Sequence, residues 1–381
     1  MVNPLPDPID PVVNWTEAGE SHSARWRSEG GAPSPKRVTV ADDRITADAA
    51  YRLASEGNAL LWRGDFQNAR QLLQAMARRI DRKPRKAAAS PLEAFNFHRQ
   101  AQSQRARTLG MLLLPLEADF SIPLRRAPNV KEACAEAYGV GDEPSVVSLR
   151  ELLGVIGAHE WRKKGVDIPA LGERIHPHYG VFSPVRGEYL QLVAEAPLPS
   201  SKLAFDIGTG TGVLAAVLAR RGVKHVIATD QDPRALVCAR QNIARLGLKG
   251  RVDVVEADLF PEGRAPLIVC NPPWLPARAN SPLEHAIYDP DSRMLLGFLN
   301  GLAAHLEPGG EGWLILSDLA EHLGLRSRES LLAAFDAAGL TVVGRMDTRP
   351  THPRVADETD PLHAARAAEV TSLWRLASRN L

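Results

Sequence analysis

The sequence predicts an α/β protein: a doubly wound, mostly parallel seven-stranded sheet with a terminal antiparallel strand pair, preceded by a mainly helical N-terminal domain. Three observations carry this prediction. After about residue 175, short β-branched or apolar runs alternate with helical segments, the pattern of βαβ units around a parallel sheet. The first run ends in a glycine-rich turn, FDIGTGTG over 205–212, that enters a helix directly. The last two runs have no helical segment between them, which predicts an antiparallel pair at the sheet edge.

Residues 1–40 are rich in Pro, Gly, Ser and charge without apolar periodicity, and are expected to form a disordered arm. From 41 to 170 the pattern is helical. Asp65 caps a segment in which Phe66, Ala69, Leu72, Leu73, Met76 and Ile80 recur at helical spacing. Ser90 with Glu93, and Ser148 with Glu151, fit the capping box, and Pro91 suits a first helical position. The stretch GDFQNARQLLQAM has no second copy, so a repeat array is rejected. A boundary falls near GERIHPHYGVFSP, and 175–381 form the second domain. Strands are expected at 203–207, 225–229, 252–255, 267–270, 312–316, 340–346 and 370–377. Helices are expected at 212–221, 233–246, before His305 and at 327–338.

Composition narrows the function classes. The 381 residues are 44% hydrophobic and 24% charged with net charge +1, so nothing global marks a nucleic-acid-coating or membrane-surface protein. Cys134, Cys238 and Cys270 are odd in number and lack CxxC spacing, which indicates neither a disulfide framework nor a thiolate zinc site. With no long apolar run and a proline-rich, acidic start, a cytoplasmic location without membrane spanning is expected. Charge is nevertheless uneven: residues 63–107 carry eleven Lys or Arg against three Asp or Glu, a local +8 against −7 elsewhere.

The glycine turn lets the backbone fold tightly and a ligand approach the chain closely. A dinucleotide fingerprint would place its third glycine one position later, where Val213 stands, and Asp206 would repel a pyrophosphate. A nicotinamide dehydrogenase is therefore disfavoured, and a cationic ligand suits Asp206. The second strand closes on Thr229-Asp230-Gln231-Asp232, where an acid can take both hydroxyls of a ribose. The third closes on Glu256-Ala257-Asp258-Leu259, where a carboxylate and a backbone N–H can read an adenine amino edge. Singly, such acids read equally as caps or loop residues. Three strand ends bearing acids beside one glycine turn are harder to dismiss.

In this order and spacing, FDIGTGTG, ATDQDPRALVCARQN, EADLF and VCNPPW resemble class I S-adenosylmethionine-dependent methyltransferases over roughly 175–381. Within that class the resemblance is to the small-domain group holding release-factor glutamine methyltransferases and rRNA and tRNA base N-methyltransferases. It implies S-adenosylmethionine as cofactor. Gly208, Gly210 and Gly212 would pass the methionine moiety, Asp230 the ribose, and Asp258 with Leu259 the adenine. The expected cofactor set is completed by Asp206, Thr209, Gln231 and Asn271.

Asn271-Pro272-Pro273-Trp274 follows the fourth strand and is the expected catalytic segment. An amide or aryl amine is a poor nucleophile because its lone pair is delocalised, so transfer needs acceptors that hold both N–H groups. Asn271 Oδ1 and the Pro272 carbonyl can supply them, and Trp274 can stack on a planar target. No metal is expected. The resembled group has mostly Tyr or Phe where Trp274 stands. The chain also lacks the Gly-rich, acidic loop that usually follows in the glutamine methyltransferases. Phe182, in YGVFSP, is expected over adenine or target, with a core phenylalanine as the alternative. Arg78, Arg79, Arg82, Lys83, Arg85 and Lys86, with Phe95, Phe97, His98 and Arg99 on the next helix, suit contacts to RNA phosphates. The expected substrate is a macromolecule, an RNA base ahead of a protein glutamine. A non-catalytic RNA-binding module on the same fold is the contrasting possibility. The stretch Thr348 to Ala367, between the last two strands, is expected to form a substrate rim, and its His352 and His363, eleven apart, lack the acid pattern of a metal site.

Overall fold

The computed structural model describes residues 11–379 except 83, 85, 186, 280–283, 285 and 352–356. Two compact units are present: residues up to 87 with 99–160, and residues 88–98 with 161–381. Helix α3 (Pro91–Leu109) and helix α5 (Leu149–Lys164) therefore each contribute to both.

The first unit contains a six-stranded sheet in the order β1-β2-β6-β5-β4-β3. Its strands are β1 (Val12–Glu17), β2 (Glu20–Arg27), β3 (Arg37–Ala41), β4 (Asn58–Trp62), β5 (Leu112–Leu116) and β6 (Ser145–Ser148). With them run α1 (Ala47–Ser55), α2 (Phe66–Asp81) and α4 (Lys131–Tyr138). This corrects two expectations. Residues 12–41 are not a disordered arm, and the helical reading of 41–170 missed four strands, three of this sheet and one at 166–168; residues 1–10 lie outside the described residues. The hairpin turn is Ala18-Gly19, both at positive φ (51° and 85°), as a two-residue turn between right-twisting strands requires. Strands β4 and β5 are continuous apolar runs buried on both faces, so they lack the alternation that marks a half-exposed strand. Leu60, Trp62, Leu112, Leu114 and Val147 face one core with Phe66, Leu73 and Met76 of α2, while Ala59, Leu61, Leu113 and Val146 face another. Asp65 caps α2, its carboxylate accepting from Gln67 N–H at 2.8 Å. The Ser90–Glu93 pair caps α3, with Glu93 N–H donating to Ser90 Oγ at 3.2 Å. The expected box at Ser148 does not form: its hydroxyl has no partner, and Glu151 instead accepts from Ser28 Oγ and Glu29 N–H.

The second unit is built on a seven-stranded sheet, β11-β10-β9-β12-β13-β15-β14. Its strands are β9 (Leu203–Ile207), β10 (His225–Asp230), β11 (Val252–Glu256), β12 (Ala265–Cys270), β13 (Leu306–Ser317), β14 (Leu340–Thr348) and β15 (Thr371–Ser378). A short pair, β7 (Val166–Ile168) with β8 (Glu173–Ile175), precedes it. The helices are α6 (Glu188–Glu195), α7 (Val213–Arg220), α8 (Pro233–Arg245), α9 (Arg293–His305), α10 (Leu319–His322), α11 (Arg328–Ala337) and α12 (His363–Ala368). Strand β15 runs antiparallel to both β13 and β14, and the other pairings are parallel. A one-and-a-half-turn helix, α12, does stand between β14 and β15, contrary to expectation; its alanines gave no amphipathic pattern. Both faces are covered, as alternate residues show: Ala204, Val226, Val269 and Ile315 lie in one cluster, and Phe205, Ile268, Leu314 and Leu316 in the other. All loops from β9, β10, β11 and β12 thus leave the same carboxyl edge, where ligands bind in sheets of this kind.

Candidate active site

A cavity of about 620 Å³ opens at that edge, entirely within the second unit. It is lined by Gly208, Thr209, Gly210, Asp230, Gln231, Asp258 and Leu259 on one hand, and by Asn271, Pro272, Pro273, Trp274 and Phe182 on the other. Twelve residues singled out from the sequence thus come together. Asp206 and Gly212 do not line it.

Asp206 sits behind the glycine turn, fully buried. Its Oδ2 accepts from Thr209 Oγ–H at 2.6 Å and from Ala215 N–H at 3.0 Å, which ties the turn to α7. Its Oδ1 is buried without a hydrogen-bond partner. Burial pushes the carboxyl up to about 6, and the charge of Asp230 adds to this against the two hydrogen bonds. Such a site holds an incompletely compensated negative charge and gains from a cation nearby. Gly208, Gly210 and Gly212 all have positive φ (69°, 54° and 81°), conformations that a side chain would strain. Gly210 N–H donates to Asp230 Oδ2 at 2.9 Å, and Asp232 N–H to Asp230 Oδ1 at 3.0 Å. Asp230 therefore joins the first and second loops as well as facing the cavity, and burial raises its pKa.

Leu259 is held at φ 75°, costly for a branched side chain, at about 1–2 kcal/mol. Its carbonyl accepts from Thr229 Oγ–H at 2.6 Å, which pins the third loop to the end of β10. Asp258 is exposed and paired with Arg293 at 2.8 Å. At the fourth loop, Pro272 is buried and Pro273 half-buried. Trp274 Nε1–H donates to Asn271 Oδ1 at 2.9 Å. The indole is half-buried and meets the Tyr189 ring edge-on at 6.5 Å, so its faces are less open than a stacking role would ask. Tyr189 is buried, and its phenol is pushed well up by burial and by the field of Asp206.

Sequence reasoning missed Tyr189, Arg293, Met294 and Glu369, all of which line the cavity, whereas Arg366, which also lines it, falls within the stretch 348–367 expected to form a substrate rim. No spacing pattern marks them. Phe95 and His98 line it too, although both were read as part of an RNA-facing helix; Phe95 is 3% exposed and packs with Leu275, Leu319 and Leu323. Phe182 is 38% exposed, while its neighbour Val181 packs on Ala235 and Cys238. Arg78, Arg79, Arg82 and Lys86 belong to the first unit, with Arg79 paired to Asp48; Lys83 and Arg85 lie outside the described residues. His352 does so as well. Among the described residues, no cluster of three or more His, Cys, Asp or Glu could hold a metal, and no helix is long and apolar enough to cross a membrane.

A parallel sheet whose order reverses between β9 and β12, with a glycine turn, two acidic strand ends and an Asn-Pro-Pro loop around one cavity, defines a class I S-adenosylmethionine-dependent methyltransferase domain. Residues 174–338 match the methyltransferase small domain. The chain is 35% identical over 153 residues to a release factor glutamine methyltransferase of Cereibacter sphaeroides, covering 36% of this chain and 52% of that one. It is 38% identical over 144 residues to a ribosomal protein L11 methyltransferase of Pelotomaculum thermopropionicum, covering 37% and 39%. It is 28% identical over 185 residues to a tRNA1(Val) (adenine(37)-N6)-methyltransferase of Pedobacter heparinus, covering 46% and 76%. The chain spans about half the length of the release-factor relatives it matches.

Proposed function

We propose that this chain methylates a planar amine or amide nitrogen of a macromolecule, using S-adenosylmethionine, with an RNA base as the preferred target. The observation that carries this reading is that Asn271, Pro272 and the glycine turn line one cavity, so an acceptor for target N–H groups stands beside a cradle for a cationic cofactor. The residues fit that cofactor. Asp206 has an unpartnered buried oxygen, Gly208 and Gly210 give backbone access, and Asp230, Asp232 and Asp258 surround the cavity with negative charge. When bound, S-adenosylmethionine supplies an electrophilic methyl group.

In this reading Gly208, Thr209 and Gly210 pass the methionine moiety, Asp230 and Gln231 hold the ribose, and Asp258 with the Leu259 backbone reads the adenine. Asn271 Oδ1 and the Pro272 carbonyl hold the target N–H groups and turn the nitrogen lone pair toward the methyl. Positioning of this kind supplies most of the rate, because it converts a bimolecular encounter into an oriented one. The nitrogen sheds its proton after transfer, so no general base is required. The preference for RNA is supported by the basic stretch 63–107, in which Arg78, Arg82 and Lys86 are exposed, and by similarity to a tRNA adenine methyltransferase. A protein glutamine target is supported by the release-factor relatives and is the second reading.

Labelled S-adenosylmethionine added with the protein to extracts of cells lacking it tests all of this. Label destroyed by ribonuclease supports RNA, and label destroyed by protease selects the glutamine reading. Cofactor binding with no incorporation would leave a non-catalytic module on this fold.

A further inference from the structure

Trp274 is joined to Asn271 in a way that a stacking platform does not require. The indole Nε1–H donates to Asn271 Oδ1 at 2.9 Å. An indole nitrogen only donates, so the carboxamide atom facing it is the oxygen, and the amide is held in one of its two flips. The indole is itself fixed. It packs against the clusters on both faces of the seven-stranded sheet and meets Tyr189 edge-on at 6.5 Å and 87°. Tyr189 is itself 3% exposed. A fixed aromatic donor, braced by a second ring, thus holds one carboxamide at the cavity wall.

We propose that Trp274 is a positioning residue, whose indole N–H holds the Asn271 carboxamide with Oδ1 presented to the cavity, while the planar target stacks elsewhere in it. The proposal rests on the methyl-transfer reading given above. A carboxamide oxygen has two lone pairs, so Trp274 uses one and leaves the other for a target N–H. The terminal torsion of an asparagine is broad and nearly two-fold. Without the indole donor, Asn271 samples orientations in which its NH₂ faces the target and repels it. Loss of the donor therefore lowers turnover and leaves cofactor affinity alone. The stacking role passes to Phe182, which lines the same cavity and is 38% exposed.

Two measurements test this. In the free protein, the Trp274 indole N–H resonance is assigned by its disappearance in Trp274→Phe. Asn271→Ala should raise its solvent exchange by about tenfold or more, the scale of one lost hydrogen bond. Unchanged exchange would overturn the proposal. The second measurement follows label from S-adenosylmethionine into extract of cells lacking the protein. Trp274→Phe keeps an aromatic ring without the donor, and a benzothienylalanine at position 274 keeps the bicyclic shape with sulfur in place of N–H. Both should lose about tenfold in rate at saturating extract, with cofactor affinity and half-saturating extract within twofold of wild type. Full activity of the benzothienyl variant would assign the role to ring volume and sink the proposal. So would full activity of Trp274→Phe alongside an inactive Trp274→Leu, which is the signature of stacking. A wild-type protein that binds cofactor but labels nothing would overturn the functional reading itself, and the role of Trp274 with it.

Discussion

Replacing Asp206 by Asn separates the stability of the free protein from its affinity for a cation. Asparagine is nearly isosteric and keeps an oxygen for Thr209 Oγ–H and Ala215 N–H, so the glycine turn stays tied to α7. What is lost is a buried charge. The carboxyl is raised from 3.8 to about 6, so the folded state holds its proton more tightly than the unfolded one. The sign follows: this group stabilises below about pH 4, and the contribution is lost as pH rises through about 6. A difference of about two pKa units corresponds to ~3 kcal/mol, all of it already lost at pH 8. The asparagine does not titrate, so the stability of Asp206→Asn relative to wild type should rise by ~2–3 kcal/mol between pH 4 and pH 8. Denaturant unfolding of both proteins at several pH values reads this directly. In the same proteins, calorimetry should find wild-type affinity for S-adenosylmethionine weakening as pH falls from 7 to 5, by at most about tenfold per unit. The mutant should bind more weakly at pH 8 and show a flatter profile. Parallel stability curves, or equal pH dependence of binding, would refute a buried charge compensated by a cation.

Other substitutions divide the cofactor half of the cavity from the reacting half. Asp230→Ala leaves Gly210 N–H and Asp232 N–H without their acceptor, and should weaken S-adenosylmethionine binding by about 1–3 kcal/mol in calorimetry. It also removes a negative neighbour, so the pH midpoint assigned to Asp206 should fall. Asn271→Ala should lower label incorporation by about 10²-fold or more while cofactor affinity stays within twofold, because its acceptor serves the target. Gly210→Val meets no atom at its Cβ, yet φ of 54° makes a β-branched residue cost about 1–3 kcal/mol, read as a lower melting temperature and weaker cofactor binding.

The second unit was largely legible because its signals are local and periodic. Strands β9 to β12 are short runs closed by Gly, acidic residues or Asn-Pro, and α8 announces itself through Asp232 and Pro233. The first unit was not, for two physical reasons. Strand β2, ESHSARWR, is polar at most positions, and only Trp26 and Arg27 at its end are buried. The run Leu112–Leu116 is buried on both sides, and its unbroken apolarity carries no period to tell strand from helix. At the site, the residues carried by motifs were found together, whereas Tyr189 and Glu369 reach the cavity only through tertiary packing. Trp274 was legible as an aromatic at the right place, but its hydrogen bond to Asn271 depends on the side-chain geometry of a folded loop.

That distribution has a functional meaning. The residues of the cavity with recognisable spacing, from Gly208 to Trp274, fall inside 174–338, the segment shared with the methyltransferase small domain. Phe95, His98, Leu362, Arg366 and Glu369 line the same cavity from outside that segment. Phe95 and Leu362 close on Leu275, the residue after Trp274, together with Leu319 and Leu323. A common cofactor imposes common contacts, and common contacts leave motifs. The acceptor differs from one relative to the next, so the wall that meets it is free to be built from unshared elements. Under the proposed function, the first turns of α3 and the stretch from 362 to 369 supply that wall. Substitutions there should change which target is taken and leave cofactor binding intact, the reverse of the pattern expected at Asp230.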